Sequence, residues 1–310
     1  MVSIGLPVFN GERYLAKAID ALLSQSYTDF EIVVSDNGSR DGTASIIKEY
    51  CKRDPRIVPH YQQTNIGAIN NFQYVLRKAR GEYFMWAAHD DLWQENYLEA
   101  LVATLDKNPN VSLAFAQYAM IDEQSKIFQY GRNNLFKSKA FTVNPDHLPE
   151  INSLIYYLDR NPFKYYGLYR RIDVMSIPHK MFLGSPQNAE NVFLAHFLAR
   201  YLSKESKETT FLYRVPETPK YPREIADNPN YVEVSQIGIE IEFYRRMVGI
   251  FMQRKTPRGM VFTALLTILF PLAILKRPAL RLYYGGQRIQ RDIRSSIARY
   301  SSETKMGDKE

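Results

Sequence analysis

The feature that most constrains this chain is an alternation of short apolar runs with amphipathic segments of helical length, repeated from Val2 to Gln117. Val2–Val8 reads as a buried strand, and Gly11–Ser24 as a helix with Tyr14, Leu15, Ala18, Ile19, Leu22 and Leu23 on one face. Phe30–Ser35 is a second strand, followed by a helix opening near Asp41-Gly42-Thr43. Arg56–Tyr61 and Glu82–Ala87 are further strands, separated by an Ala68–Lys78 helix, and a Gln94–Asp106 helix leads to a fifth strand at Val111–Gln117. Such alternation predicts an α/β fold with a mostly parallel sheet flanked by helices, whose ligands bind beyond the carboxyl ends of the strands. Polar clusters fall at those ends: Phe9-Asn10-Gly11-Glu12, Asp36-Asn37, Asn65 with Gly67, and His89-Asp90-Asp91.

The residue types at these ends suit a nucleoside diphosphate. An aspartate at a strand end accepts a hydrogen bond from a base N–H, which is a task for Asp36. Adjacent carboxylates such as Asp90 and Asp91 hold Mg²⁺ or Mn²⁺ against phosphate oxygens, since hard cations prefer oxygen ligands. Blander roles exist for each residue. Asp36-Asn37-Gly38 is also an ordinary turn, and Asp90 or Asp91 is also a helix N-cap.

Pro7-Val8-Phe9-Asn10-Gly11-Glu12, Asp29 through Thr43, and Asn65-Ile66-Gly67 together resemble the family 2 glycosyltransferases with a GT-A fold, of the bacterial surface-polysaccharide type. The resemblance is dense over Val2–Leu105 and thinner over Gly167–Tyr201. It implies an inverting transfer from a nucleoside diphosphate sugar, with Pro7, Phe9, Asn10, Glu12 and Asp36 around the nucleoside. Asn65 and Gly67 belong to a further nucleotide-side element, and a divalent metal rests on Asp90 or Asp91. His89, Arg170 and Arg171 are candidate phosphate or acceptor contacts.

Two departures stand out. The family's Asp-x-Asp metal motif is represented by Ala88-His89-Asp90-Asp91, without its leading aspartate. The Glu-Asp pair that opens the acceptor-side helix reads Glu190-Asn191, and an amide takes no proton at neutral pH. Either Glu190 serves as the base instead, or this stretch aligns differently, or the chain is an impaired variant; Glu190 is the favoured candidate, and its bland role is a first-turn carboxylate complementing the helix dipole.

Charge locates a second region. Ile250 to Tyr300 carries ten Lys or Arg and one acidic residue, a net +9 in a chain of formal charge +7. Within it Met260–Leu275 is apolar but short for a span, and Arg281–Tyr300 sets Leu282, Ile289, Ile293 and Ile297 among arginines. That pattern predicts a helical extension on an anionic membrane surface rather than on nucleic acid. The expected organisation is a GT-A domain over 1–230, divided near 117 into donor and acceptor halves, and a membrane-associating region over 231–310. One cysteine, Cys51, and no basic leader before Val2 suit a place on the cytoplasmic side of the membrane, peripheral or re-entrant, with a polyprenyl-linked glycan as acceptor. Two other readings remain: a GT-A scaffold that binds nucleotide and membrane without turnover, and a nucleotidyltransferase. Pro7–Glu12 lacks the Gly- and Arg/Lys-rich phosphate loop of the latter.

Overall fold

A computed structural model of the protein describes residues 1–130, 162–177 and 189–215, with isolated helical residues at 244–245, 248–249 and 264. The chain divides into two compact units, Met1–Ile250 and Phe251–Glu310. In the second, only Ala264 is among the described residues. The expected Arg281–Tyr300 segment, and all of the expected Met260–Leu275 segment but Ala264, lie outside them. Among the described residues no helix is long and apolar enough to cross a membrane.

The first unit opens with β1 (Val2–Val8), α1 (Leu15–Leu23), β2 (Phe30–Asp36), α2 (Thr43–Arg53), β3 (Ile57–Tyr61), α3 (Ala68–Lys78) and β4 (Tyr83–Trp86). β1 and β2 are buried along their whole length, as their unbroken apolar runs require of strands covered on both faces. β1 pairs in parallel with β2 and β4, and β2 with β3. Ile4, Leu6, Ile32 and Val34 are fully buried, each contributing roughly 1.5–3 kcal/mol of hydrophobic stabilisation. Glu31 is a buried acid in this core. It accepts hydrogen bonds from Ser3 Oγ and from the Arg80 backbone and guanidinium, and these outweigh burial to hold its carboxyl below the usual range.

The second half departs from the parallel expectation. After β5 (Leu92–Trp93) and α4 (Tyr97–Asp106), β6 (Val111–Ile121) runs four residues beyond the predicted strand, and β7 (Ile127–Tyr130) folds back on it. A 3₁₀ turn (Pro162–Tyr166) leads into β8 (Leu168–Arg170), which lies antiparallel between β4 and β6. Short α5 (Arg171–Met175), then α6 (Ala189–Leu198) and β9 (Leu202–Arg214) follow. β9 is parallel to β6, while β5 pairs antiparallel to β9. The described sheet runs β3-β2-β1-β4-β8-β6-β9-β5, parallel at its N-terminal end and mixed beyond β4. Because β8 is antiparallel to both neighbours, β4, β6 and β9 point the same way. Their carboxyl ends share one edge with those of β1 and β2.

Candidate active site

The loops that leave β1 and β2 are joined by their own polar groups. Asn10 N–H donates to Ser39 Oγ, Arg40 N–H to Asn10 Oδ1, Gly11 N–H to Thr43 Oγ1 and Glu12 N–H to Asp41 Oδ2, at 2.8–3.1 Å. Glu12 Oε2 accepts the Gly42 N–H at 2.5 Å. Pro7 is buried inside β1 opposite Ser35, so the accessible residues of this expected nucleoside-side group are Phe9, Asn10 and Glu12. Asp36, only 4% exposed, accepts the Ser39 N–H through Oδ1 at 2.9 Å. The turn role is therefore real, but it uses one oxygen. Oδ2 makes no hydrogen bond among the described residues.

The third strand end is tied to the second. Asn37 Nδ2 donates to Asn65 Oδ1, and Asn37 Oδ1 accepts the Ile66 N–H, both at 2.9 Å. Asn65 Oδ1 also accepts the Gly67 N–H at 2.8 Å. Gly67 opens α3 at φ +86, a conformation that L side chains rarely adopt.

At the fourth end, the His89 ring lies against the β1–α1 loop. A Cβ on Gly11 would sit 2.8 Å from His89 Cδ2 and 2.5 Å from Val8 Cγ2, so glycine is what lets the two strand-end loops touch. Neither aspartate caps α4, which starts at Tyr97 with Asn96 before it. The two carboxylates differ. Asp91 is 1% exposed and its Oδ1 accepts the Arg214 N–H at 2.8 Å, whereas Asp90 keeps partial solvent access. Among the described residues no three His, Cys, Asp or Glu side chains group closely enough to cage a metal ion. One accessible carboxylate still fits a cation shared with a ligand, because Mg²⁺ is usually held by one or two carboxylates plus substrate phosphates. Asp90 is the residue that fits.

The acceptor-side residues are placed by an aromatic core. Trp86, the last residue of β4, stacks on Tyr165 at 4.5 Å and meets Phe193 of α6 edge-on at 5.4 Å. Its indole N–H is satisfied by Phe72 O. Phe193 is one helical turn beyond Glu190, so packing on Trp86 carries Glu190 to the same edge as His89-Asp90-Asp91. Glu190 Oε1 accepts a hydrogen bond from the Tyr166 hydroxyl at 3.1 Å. Burial pushes its carboxyl up to about 7, partly opposed by that bond. The Tyr166 hydroxyl is itself held well above its ordinary value by burial and then by the charges of Glu190 and Asp91. Tyr166 thus bonds Glu190 and feels the charge of Asp91 as well. Asn191 follows Glu190 in the first turn of α6, half-buried.

Arg170 and Arg171 are corrected by the structure. Arg170 pairs with Tyr83, the first residue of β4, at the opposite edge from the strand-end clusters. Its guanidinium donates to Val111 O and Leu105 O, and Arg171 Nε donates to Gly81 O. Both serve packing, because β8 runs antiparallel and delivers its last residues to the amino end of β4. What the sequence reading missed is Arg214. It closes β9, is 1% exposed and touches both motif aspartates. The inward positions of β9 are mostly Ser203, Ser206 and Thr209, which show no apolar alternation. The β-rich Thr209–Tyr213 run was the one available signal.

The family model described as glycosyl transferase family 2 matches residues 3–182. Glu190 lies just past that match. An uncharacterized glycosyltransferase of Rickettsia typhi is 32% identical over 157 residues, 50% of this chain and 48% of that protein. An uncharacterized protein of Mycobacterium bovis is 38% identical over 119 residues, covering 37% and 34%. The chain therefore spans about half or less of the curated relatives it matches. Among solved structures, S. aureus TarS 1–349 in complex with UDP-GlcNAc is similar at TM-score 0.56 and 16% identity, covering 81% of this chain and 65% of that one. The Pyrobaculum calidifontis mannosyltransferase in complex with GDP-Man and Mn²⁺ is similar at TM-score 0.54 and 17% identity, covering 90% and 73%. At these identities the likeness is one of fold, and the fold is GT-A.

Proposed function

We propose that this chain, which belongs to glycosyl transferase family 2, moves a sugar from a nucleoside diphosphate sugar to an acceptor hydroxyl with inversion at the anomeric carbon. The observation that carries this reading is Glu190, a carboxyl raised to about 7 at the same sheet edge as the strand-end clusters. Neighbours of the same fold hold UDP-GlcNAc and GDP-Man, which supports the donor class.

Asp36, with one carboxylate oxygen left over from its turn, takes a base N–H, and Phe9, Asn10 and Glu12 flank the nucleoside. Glu190 accepts the proton of the acceptor hydroxyl as that oxygen bonds to the anomeric carbon. The bond from that carbon to the diphosphate oxygen breaks, and the nucleoside diphosphate leaves with the electron pair. A base near neutral pH is well matched to this transfer, which is typically worth 10²–10⁴ in rate. Asp90 is the residue that would hold a divalent cation on the diphosphate, where such an ion neutralises leaving-group charge. The raised carboxyl weighs against a scaffold without turnover, because Glu190 is poised as a base despite the neighbouring Asn191.

The acceptor reading extends further. The +9 window and its sixteen-residue apolar run suit attachment to the cytoplasmic face of a membrane and a polyprenyl-linked glycan acceptor in polysaccharide assembly. The test is donor turnover. The full chain is incubated with uridine, guanosine and thymidine diphosphate sugars, Mn²⁺ and a bacterial lipid extract, and released nucleoside diphosphate is measured. One nucleotide class should be consumed, and consumption should fall at least a hundredfold in Glu190→Gln. Silence with every donor would sink the enzyme reading. Equal turnover without the lipid extract would remove the lipid acceptor.

A further inference from the structure

We propose that Arg214 is the residue that positions Asp90 for the diphosphate, a role resting on the donor reading above. The topology brings it there. Arg214 is the last residue of β9, paired with Ile121 at the end of β6, and both strands run parallel to β4. It therefore reaches the carboxyl edge from which His89-Asp90-Asp91 departs.

Its hydrogen bonds are spread around that motif. Nε donates to the Asp90 carbonyl at 2.7 Å, while the Arg214 backbone N–H donates to Asp91 Oδ1 at 2.8 Å. On its other side Nη1 donates to Asp122 O and Glu123 O, and Nη2 to Ser125 Oγ at 3.0 Å. The guanidinium also lies over the Tyr14 ring, with its carbon 4.7 Å from the centroid. One side chain thus ties the motif to the β6–β7 turn and to the start of α1.

The pattern fits positioning. The bond to Asp90 goes to its main chain, so it sets where the residue sits without using the carboxylate. Asp91 is held through its carboxylate and turned inward, which leaves Asp90 as the accessible acid of the pair. Only an arginine has the forked donors to meet all these acceptors at once, since a lysine has a single nitrogen. Among the described residues no carboxylate hydrogen-bonds the guanidinium. A permanent charge buried on carbonyls and a hydroxyl is costly, and a mere tie between loops would not require it. Placed next to Asp90, that charge also favours the arrival of phosphate.

The experiment titrates Mn²⁺ by electron paramagnetic resonance into the full chain with saturating UDP or GDP, in the wild type, Arg214→Lys and Ser125→Ala. Metal-free UDP and GDP binding is measured in parallel by calorimetry in EDTA. Arg214→Lys should weaken Mn²⁺ binding about tenfold, the size typical of losing a partner behind a metal ligand. Metal-free nucleotide binding should stay within about twofold, because Asp36 and Glu12 stand on other strands. Ser125→Ala, which keeps Arg214 but loosens its far side, should weaken Mn²⁺ about two- to threefold on the same reasoning and decides the matter if Arg214→Lys does not fold. Unchanged Mn²⁺ affinity in a folded variant overturns the proposal, as does an equal loss of metal-free binding. A wild type that binds neither UDP nor GDP sinks the donor reading instead.

Discussion

The Tyr166 hydroxyl donates to Glu190 Oε1 at 3.1 Å, while the charge of Asp91 bears on the same hydroxyl. Tyr166 therefore couples electrostatically to both Glu190 and the strand-end motif. Its main-chain oxygen accepts the Tyr97 hydroxyl at 3.1 Å, and its ring stacks on Phe211 at 5.4 Å, so the hydroxyl is fixed from both α4 and β9.

Tyr166→Phe removes the bond that opposes burial at Glu190, so the carboxyl should rise further above about 7. A base must be ionised, so the acid limb of the pH–kcat profile should move up by about half to one unit. Activity at neutral pH should fall severalfold and recover at higher pH. An unmoved limb would remove Glu190 from the role of base.

The same carboxyl makes a stability prediction of fixed sign. Raised in the folded chain from 4.5 to about 7, Glu190 binds its proton more tightly there than when unfolded. Its ionisation must then cost stability as pH rises from about 4.5 to 7, by on the order of 1–3 kcal/mol. Glu190→Gln should lower turnover at least a hundredfold yet melt higher than the wild type at pH 8, with the advantage vanishing near pH 4. Thermal melts at several pH values check this.

Asp90 and Asp91 should separate cleanly. Asp91→Ala strips the acceptor from the buried Arg214 N–H and should cost about 1–3 kcal/mol of stability. Asp90→Ala, at a position with partial solvent access, should cost less stability than Asp91→Ala and abolish stimulation by Mn²⁺. Denaturation curves and metal-dependent donor consumption on both variants decide it, and the opposite pattern would reverse the assignment.

Gly11→Ala should be damaging despite its small size. Its methyl would meet Val8 Cγ2 and the His89 ring well inside contact distance, so the β4 loop must shift. Overpacking of this kind costs about 1–3 kcal/mol. On the proposed donor reading the displaced loop borders the diphosphate rather than the base, so the KM for the donor should rise more than kcat falls. A donor KM equal to that of the wild type would place His89 away from the donor.

Much was legible in the residues themselves. Strands β1, β2 and β3 and helix α3 follow from apolar runs and from the period of Ala68–Lys78, because local burial patterns depend on neighbours in sequence. The polar clusters read at the strand ends do lie at the carboxyl ends of β1, β2, β3 and β4. Less legible was β9, whose buried positions are small and polar. Also hidden was the antiparallel β8, which turned Arg170 and Arg171 from candidate ligand contacts into packing residues.

By itself, then, the sequence determined which chemistry was present: Asp36, the Asp90-Asp91 pair, and Glu190 beside an Asn. The tertiary structure decided the surroundings of each carboxylate. Asp91 is turned inward onto Arg214 across 123 positions of chain, Asp90 keeps partial access to solvent, and burial pushes the Glu190 carboxyl up to about 7, partly opposed by its bond from Tyr166. Those outcomes depend on burial and on partners brought together by strand pairing. Two adjacent aspartates look alike along a chain and become different acids only once one of them has been folded out of water.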